Sequence, residues 1–496
     1  MLNGLFATLQ WQSFSMILIG VPIGLLLGAL PGLGGMLGLA LMIPFVLGMN
    51  PVSGFALLLS MHAVTHTAGV VPSILFNTPG TAPTAVTCFD GHPLAKQGRA
   101  GEAFGASFTA SGLGGVIGAV IMMILIPIAR PLLISFGPPE LFMLGALGIT
   151  FISTISGKNQ IKGLIVGGLG VMMSFIGREG TTGIIRYGGG LLYLRDGLPI
   201  VPIVMGIFAI AEVIDLLVKQ TKSVAEGASE DIKVGDDVWK GVLICLKKWP
   251  LVLRVGILGT IVGIMPGLGA EAAGYLAYGH ASQISKGPVP FGQGNIEGVI
   301  APDTTSNSKE GGALLTTISL GIPGSSGMAV LLGAFVVMGL VPGPNLMIEQ
   351  PTLVWSLVWV LVFANLIAAL SLLLCSKHLA KLTRIKMTRI IPFVLVFAML
   401  GSFLTTSQIQ NIFLTALMGV IGYFLKKYKF HRAPILLGFV LGRIVEARLL
   451  LSLTLFGWSF VTRPLTAVLL ALTILSLVHP VWKRHRERKK LRASAG

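Results

Sequence analysis

Long apolar stretches separated by short, mostly basic loops set the pattern of this chain, and the first 89 residues carry no Asp, Glu, Lys or Arg, Asp90 being the first formal charge. A soluble fold needs a polar exterior, whereas lipid demands apolar side chains and a backbone satisfied within helices or a closed barrel. Stretches such as 103–129 and 351–376 are long enough to cross the ~30 Å hydrocarbon layer as helices. The pattern predicts spans at roughly 103–129, 141–155, 163–177, 197–218, 352–374, 390–404, 412–425 and 435–459, with a last one near 464–482. Several are shorter than the ~17 residues a crossing usually needs. The expected fold is an all-α polytopic membrane protein of about 10–12 transmembrane segments, some interrupted and re-entrant.

The interruptions come in matched sets. Pro-Gly-Leu-Gly occurs at Pro31 to Gly34 and again at Pro266 to Gly269; a further Pro-Gly follows each, at Pro79-Gly80 and Pro323-Gly324. Aligning Gly80 with Gly324 sets the loops beyond in opposite charge phase. Lys96 and Arg99 face a stretch, 341–350, with no Lys or Arg, and the balanced 130–140 faces Lys377, Lys381, Arg384, Lys386 and Arg389. Lys158 and Lys162 face the uncharged 405–411, and the mixed 178–196 faces Lys426, Lys427, Lys429 and Arg432. If basic loops face the cytoplasm, the two halves are inverted-topology repeats. The expected organisation is 1–218 as the first membrane repeat, 219–250 as a cytoplasmic linker, 251–460 as the second repeat, 461–482 as a final helix and 483–496 as a basic cytoplasmic tail near anionic lipid.

Composition narrows the class. The net charge of +17 resides in short loops and the tail, which argues for membrane topology and against nucleic-acid binding. Glycine is frequent, 65 residues in all, and runs such as Gly112 to Gly118 and Gly163 to Gly170 let helix backbones approach closely. Cys88, Cys245 and Cys375 have no metal-ligand spacing and read as free thiols; no cleaved signal peptide and no cofactor are expected.

Pro-Gly inside an apolar segment releases amides and carbonyls from helical pairing, and in hydrocarbon this is tolerated only where the break lines a cavity. Such a break can hold an anion at helix N-termini and a small cation at carbonyls. The candidate substrate site is therefore Asn77, Thr78, Pro79, Gly80 and Thr81 with Gly321, Pro323, Gly324, Ser325 and Ser326. The candidate cation-coupling residues, for Na⁺ or H⁺, are Gly32, Gly34, Gly267, Gly269, Asp303, Asn307 and Glu310, with Lys309 as a countercharge to a substrate carboxylate. Structural kinks, hydroxyls bonding back to their own helix and an ordinary capped loop at 301–310 are the plainer alternatives. His62 and His66 read as hydrogen-bonded structure, and Arg443 with Glu446, one turn apart, as an internal ion pair. Gly324-Ser-Ser-Gly327 also resembles the motif of rhomboid-type intramembrane proteases, which would make Ser326 a nucleophile; a passive anion channel is a further alternative.

In order along the chain, Gly28-Ala-Leu-Pro-Gly-Leu-Gly-Gly35, Asn77-Thr-Pro-Gly-Thr81, Phe89-Asp-Gly-His-Pro-Leu-Ala-Lys96, Gly98-Arg-Ala-Gly-Glu102, Phe291-Gly-Gln-Gly-Asn-Ile-Glu-Gly-Val299 and Leu320-Gly-Ile-Pro-Gly-Ser325 resemble the large membrane subunit of the tripartite tricarboxylate transporters, the TctA family. The resemblance implies a bacterial inner-membrane permease working with a small membrane subunit and a periplasmic solute-binding protein, importing tricarboxylates or related carboxylates by cation symport. It also implies sites at 77–81 and 321–326. The chain departs from the family where Asp303 to Ser308 replaces a Glu-Ala-Ala-Asn-Asn run, and where residues 67–73 replace Tyr-Gly-Gly-Ser. Moving a trianion inward against ~100 mV costs about 7 kcal/mol, so accumulation needs a coupled cation. The chain has no Walker A pattern for ATP.

Overall fold

The computed structural model describes residues 1–30, 33–134, 136–155, 160–179, 183–219, 237–265, 269–285, 287–379 and 387–475. The described chain is almost wholly helical. It begins with α1 (Leu2–Leu9), α2 (Trp11–Ala29), α3 (Gly34–Met42), α4 (Pro51–Phe76), α5 (Cys88–Lys96), α6 (Ala100–Ile134), α7 (Pro138–Ile155), α8 (Gln160–Ser174) and α9 (Ile200–Lys219). It continues with α10 (Val238–Lys247), α11 (Trp249–Ile264), α12 (Gly269–Ile284), α13 (Glu297–Leu320), α14 (Ser326–Val337), α15 (Pro351–Cys375), α16 (Met387–Leu404), α17 (Gln410–Lys427), α18 (Ala433–Phe456) and α19 (Pro464–Leu475). The described strands are a short hairpin that pairs Gly177–Arg178 with Ile185–Arg186. Among the described residues, five helices are long and apolar enough to cross a membrane: α2, α4, α9, α15 and the Ala100–Ala129 part of α6. The chain is a multi-pass membrane protein. Of the expected linker, 220–236 lies outside the described residues, as do the end of the expected final helix, 476–482, and the whole expected tail, 483–496; the rest of the linker contains α10, which packs on α6.

Two helices form the centre. Every side chain from Ser53 to Leu75 of α4 and from Glu297 to Ser319 of α13 is buried. For α13 this rules out the ordinary capped loop weighed at 301–310, which lies inside the helix. At 1.5 Å per residue its 24 residues extend about 36 Å. Its polarity is tolerable because Thr304, Thr305, Ser306, Thr316, Thr317 and Ser319 each donate to the carbonyl four residues earlier, removing six hydroxyls from apolar surroundings without external partners. Close neighbours supply the rest of the fit. Gly114 and Gly118 of α6 lie against the carbonyls of Thr304 and Ser308, and Gly312 of α13 against that of Thr260. This is the small-residue packing expected of helices that cannot rely on the hydrophobic effect.

The packing partners correspond in order. α4 lies against α2 and α15, as α13 lies against α11 and α6; α18 lies against α7 and α8, as α9 lies against α16 and α17; α1 lies against α15, as α10 lies against α6.

Away from the centre, Asp90 clasps the loop before α13. Its carboxylate accepts from the amides of Gly292, Gly294 and Asn295 at 2.9, 2.9 and 2.7 Å and from the Tyr278 hydroxyl at 2.8 Å, and the residue is fully buried. Asp90→Asn keeps one acceptor oxygen but loses the charge. It is expected to lower the stability of the detergent-solubilised protein by about 1–2 kcal/mol, read as a fall in unfolding temperature. The Arg443–Glu446 pair expected from their spacing is replaced by longer-range partners. Arg186 grips Glu446 at 2.7 and 2.9 Å, and Arg443 donates to the carbonyls of Ser174 and Ile176.

Candidate substrate and ion site

The two Pro-Gly interruptions have the same local construction at the offset that aligns Gly80 with Gly324. α4 ends at Asn77, which adopts the left-handed conformation with φ 51°, and α13 ends at Gly321, with φ 70°. Neither can continue a right-handed helix, and the proline two residues later prevents its resumption. Each chain then folds back. A Cβ on Gly80 would stand 2.6 Å from the Gly28 carbonyl oxygen and 2.7 Å from Gly69 Cα; one on Gly324 would stand 2.5 Å from the Gly263 carbonyl oxygen and 2.6 Å from Ala313 Cα. Only a glycine lets the turn seat so deeply.

New helices start from capping hydroxyls. Thr81 and Thr84 form a capping box before the 3-10 turn Ala82–Ala85, and Ser325 Oγ accepts from the Met328 amide at 3.2 Å at the head of α14.

Between the two interruptions lies a cavity of ≈ 370 Å³. Pro79, Gly80 and Thr81 line one side and Ser325 and Ser326 the other; Gly34 and Gly35, at the head of α3, contribute as well. Helices α3 and α14 thus open onto it with their N-terminal, partially positive ends. Among the described residues its charged lining consists of Lys309, Glu212, Lys426 and Arg432. At the mouth, Lys426 contacts Glu212 at 2.5 Å and Asp215 at 2.7 Å, and Arg432 reaches Glu212 at 3.1 Å.

Deeper in, four titratable side chains converge. His62 and His66 sit one turn apart on α4, so they share a face, and Lys309 and Glu310 come from α13; all four are buried. His66 Nε2 is 3.3 Å and His62 Nε2 3.7 Å from Glu310 Oε1, and the Lys309 ammonium contacts the same oxygen. His66 Nδ1 lies 3.3 Å from the Thr81 hydroxyl, which ties the cluster to the first interruption. The His62 ring fills space left by absent side chains: a Cβ on Gly35 would stand 2.5 Å from its Nδ1, and one on Gly327 would collide with the ring. Two imidazoles and a carboxylate offer a metal ion three ligand atoms within 4.8 Å of one another. The Lys309 ammonium already occupies the carboxylate oxygen, so a metal ion there would meet a fixed positive charge.

The expected site residues separate into groups. Pro79, Gly80, Thr81, Ser325, Ser326, Gly34 and Lys309 meet at the cavity, and Glu310 lies just behind Lys309. Asn77, Thr78, Gly321, Pro323 and Gly324 shape the turns, and the cavity lining does not include them. Asp303 accepts from the hydroxyls of Thr87 and Ser107 at 2.5 Å each, and Asn307 Nδ2 donates to Thr67 and Asn365 at 2.8 and 2.6 Å. Gly269 opens α12, while Gly32 and Gly267 lie outside the described residues. No hydrogen bond joins Ser326 to His62 or His66 among the described residues.

Lys426 and Arg432 escape sequence reading because a basic loop is fully explained by topology, and Glu212 because its partners lie more than 200 residues away in sequence. The signal for His62 and His66 is their four-residue spacing within a stretch otherwise free of charge.

A family model described as the tripartite tricarboxylate transporter TctA family matches residues 14–437. Two proteins of Agrobacterium vitis are similar. An uncharacterized 52.8 kDa protein in the TAR-I ttuC' 3' region is 30% identical over 93% of this chain and 91% of its own length. An uncharacterized protein in the TAR-II ttuC' 3' region is 30% identical over 44% of this chain and 92% of its own length. No solved structure matches.

Proposed function

Because the chain belongs to the tripartite tricarboxylate transporter TctA family, we propose that it is the permease of a binding-protein-dependent secondary transporter that takes a carboxylate into the cell in symport with Na⁺ or H⁺. One observation carries this reading: two like-built helix interruptions, from parts of the chain far apart in sequence, share a cavity of ≈ 370 Å³ lined by Lys309, Lys426 and Arg432. The size suits a small organic anion and the lysines and arginine its carboxylates. The open amides of α3 and α14 add anion affinity without further fixed charge.

The correspondence of turns, caps and packing partners supports two inverted-topology repeats, 1–218 and 251–460, that rock against each other for alternating access. On the positive-inside rule, Lys426 and Arg432 lie on the cytoplasmic side. Lys162 donates to the Tyr428 carbonyl at 2.8 Å, which puts a further basic residue, from the start of α8, beside them. The cavity mouth with its Glu212, Lys426 and Arg432 cluster then faces the cytoplasm. The permease works in a bacterial inner membrane with its C-terminus inside, beside a small membrane subunit and a periplasmic solute-binding protein that delivers the substrate.

Uptake of a labelled panel of di- and tricarboxylates into proteoliposomes containing all three subunits, with Na⁺ and pH gradients imposed separately, tests this directly. Gradient-dependent accumulation of at least one carboxylate is expected. Uptake that persists after both gradients are collapsed would identify a passive channel instead. Arg432→Gln, which removes one of the two cations at the mouth, is expected to raise the apparent KM about ten-fold, equivalent to ~1.4 kcal/mol.

A further inference from the structure

We propose that the coupled ion is a proton taken up by His66 beside Glu310, and that its arrival releases Lys309 to the carboxylate substrate; this rests on the transport reading above. The chemistry of the converging groups favours a proton over a metal cation. Alkali and alkaline-earth cations want several oxygen ligands. Here the groups facing Glu310 Oε1 among the described residues are His62 Nε2, His66 Nε2 and the Lys309 ammonium, all nitrogen. Elsewhere along α13 the Asp303 carboxylate accepts two hydroxyl hydrogen bonds and the Ser306 hydroxyl is bonded within its own helix, while Asn307 Oδ1, without a hydrogen-bond partner among the described residues, is a single neutral oxygen and short of the several such a cation wants.

By contrast, the cluster has unused capacity for protons. Both nitrogens of His62 and Oε2 of Glu310 are buried without a hydrogen-bond partner among the described residues. Orphaned polar atoms are rare in native interiors and call for a functional reason. Histidine is the side chain suited to gain and lose a proton near neutral pH.

Geometry links the proton to the substrate. Lys309 both contacts Glu310 and lines the cavity, so one ammonium serves two anions in turn. With His66 neutral, Lys309 balances Glu310. A proton on His66 Nε2 makes an imidazolium that donates to Oε1 over the 3.3 Å gap, and Glu310 is then balanced without Lys309. The ammonium turns to the carboxylate in the cavity. When the carboxylate leaves, Lys309 returns to Glu310 and the proton departs from His66. Only an N–H bond forms and breaks, and at least one proton crosses with each carboxylate.

His62, wedged between Gly35 and Gly327, touches the start of α3 and of α14 and holds its Nε2 3.7 Å from the same oxygen. Among the described residues the other charges facing the cavity are Glu212, Lys426 and Arg432, with Asp215 paired to Lys426; Asp303 lies two turns away along α13.

The test uses proteoliposomes holding all subunits, a carboxylate taken up in the panel above, a trapped pH dye and ²²Na⁺. A pH gradient alone is expected to drive accumulation, with proton entry in step with carboxylate and no ²²Na⁺ entry. His66→Gln is expected to lower gradient-driven accumulation and the proton-to-carboxylate ratio, accumulation by about ten-fold, within the usual span of coupling between sites. Accumulation driven by a Na⁺ gradient at equal pH with ²²Na⁺ entry, or an unaltered proton-to-carboxylate ratio in His66→Gln, would overturn the proposal.

Failure of every carboxylate to enter would instead sink the transport reading. The proton site is then decided on solubilised protein by infrared difference spectra between acid and alkaline pH. A histidine band lost in His66→Gln and shifted in Glu310→Gln supports it; identical spectra for wild type and His66→Gln refute it.

Discussion

Lys309→Met is expected to reduce carboxylate uptake in proteoliposomes roughly 100-fold or more. Its ammonium is buried against Glu310 and faces the cavity, so its loss removes the deepest cation available to the substrate and strands a buried carboxylate. Breaking a buried ion pair by deleting one partner costs about 3–5 kcal/mol, because the remaining charge is left uncompensated. Part of that cost would appear as lower yield of folded protein, and the double variant Lys309→Met with Glu310→Gln separates the two effects. With both charges gone the penalty disappears, so folded yield is expected to recover while uptake stays absent. Recovery of uptake in the double variant would mean that Lys309 only neutralises Glu310.

Gly80→Val and Gly324→Val are each expected to abolish folded protein or, where some survives detergent extraction, to abolish uptake. A side chain at either position meets backbone on two sides: Gly28 and Gly69 for the first, Gly263 and Ala313 for the second. Backbone cannot turn aside as a side chain can, so the interrupted segment would be pushed off the helices that seat it. Overpacking of this kind costs about 1–3 kcal/mol where neighbours can adjust and more where they cannot. Gly279→Ala in α12 is the matched control, since a Cβ there meets nothing within 4 Å. It is expected to be neutral or to stabilise by up to about 1 kcal/mol. Size-exclusion profiles and thermal unfolding of the three variants check both expectations.

Much of the fold was legible because lipid imposes a simple rule on composition. The spans read at 103–129, 197–218 and 352–374 lie within α6, α9 and α15 or within three residues of their ends. The turns at Pro79-Gly80 and Pro323-Gly324 could be located because proline and glycine act locally. What escaped was α13. Its Asp-Thr-Thr-Ser-Asn-Ser-Lys-Glu sequence reads as water-facing, yet it is buried throughout by hydroxyls bonded to their own helix and by glycines on α6. Hydropathy cannot register satisfaction of that kind.

The candidate site was legible in the same partial way. Thr81 and Ser325 could be picked out from the interruptions and Lys309 from the polar 301–310 stretch, but the meeting of His66 with Glu310 depends on two helices packing across the sequence. No local pattern encodes that contact.

The most direct test of a shared aqueous site between the interruptions is thiol labelling of Ala82→Cys and Ser326→Cys, each in a background with Cys88, Cys245 and Cys375 replaced by serine. Both positions line the cavity, from opposite interruptions. A small hydrophilic thiol reagent is expected to modify both, and a transported carboxylate to protect both over the same concentration range. Labelling at neither position, or carboxylate protection at one and not the other, would contradict a single chamber built by the two halves.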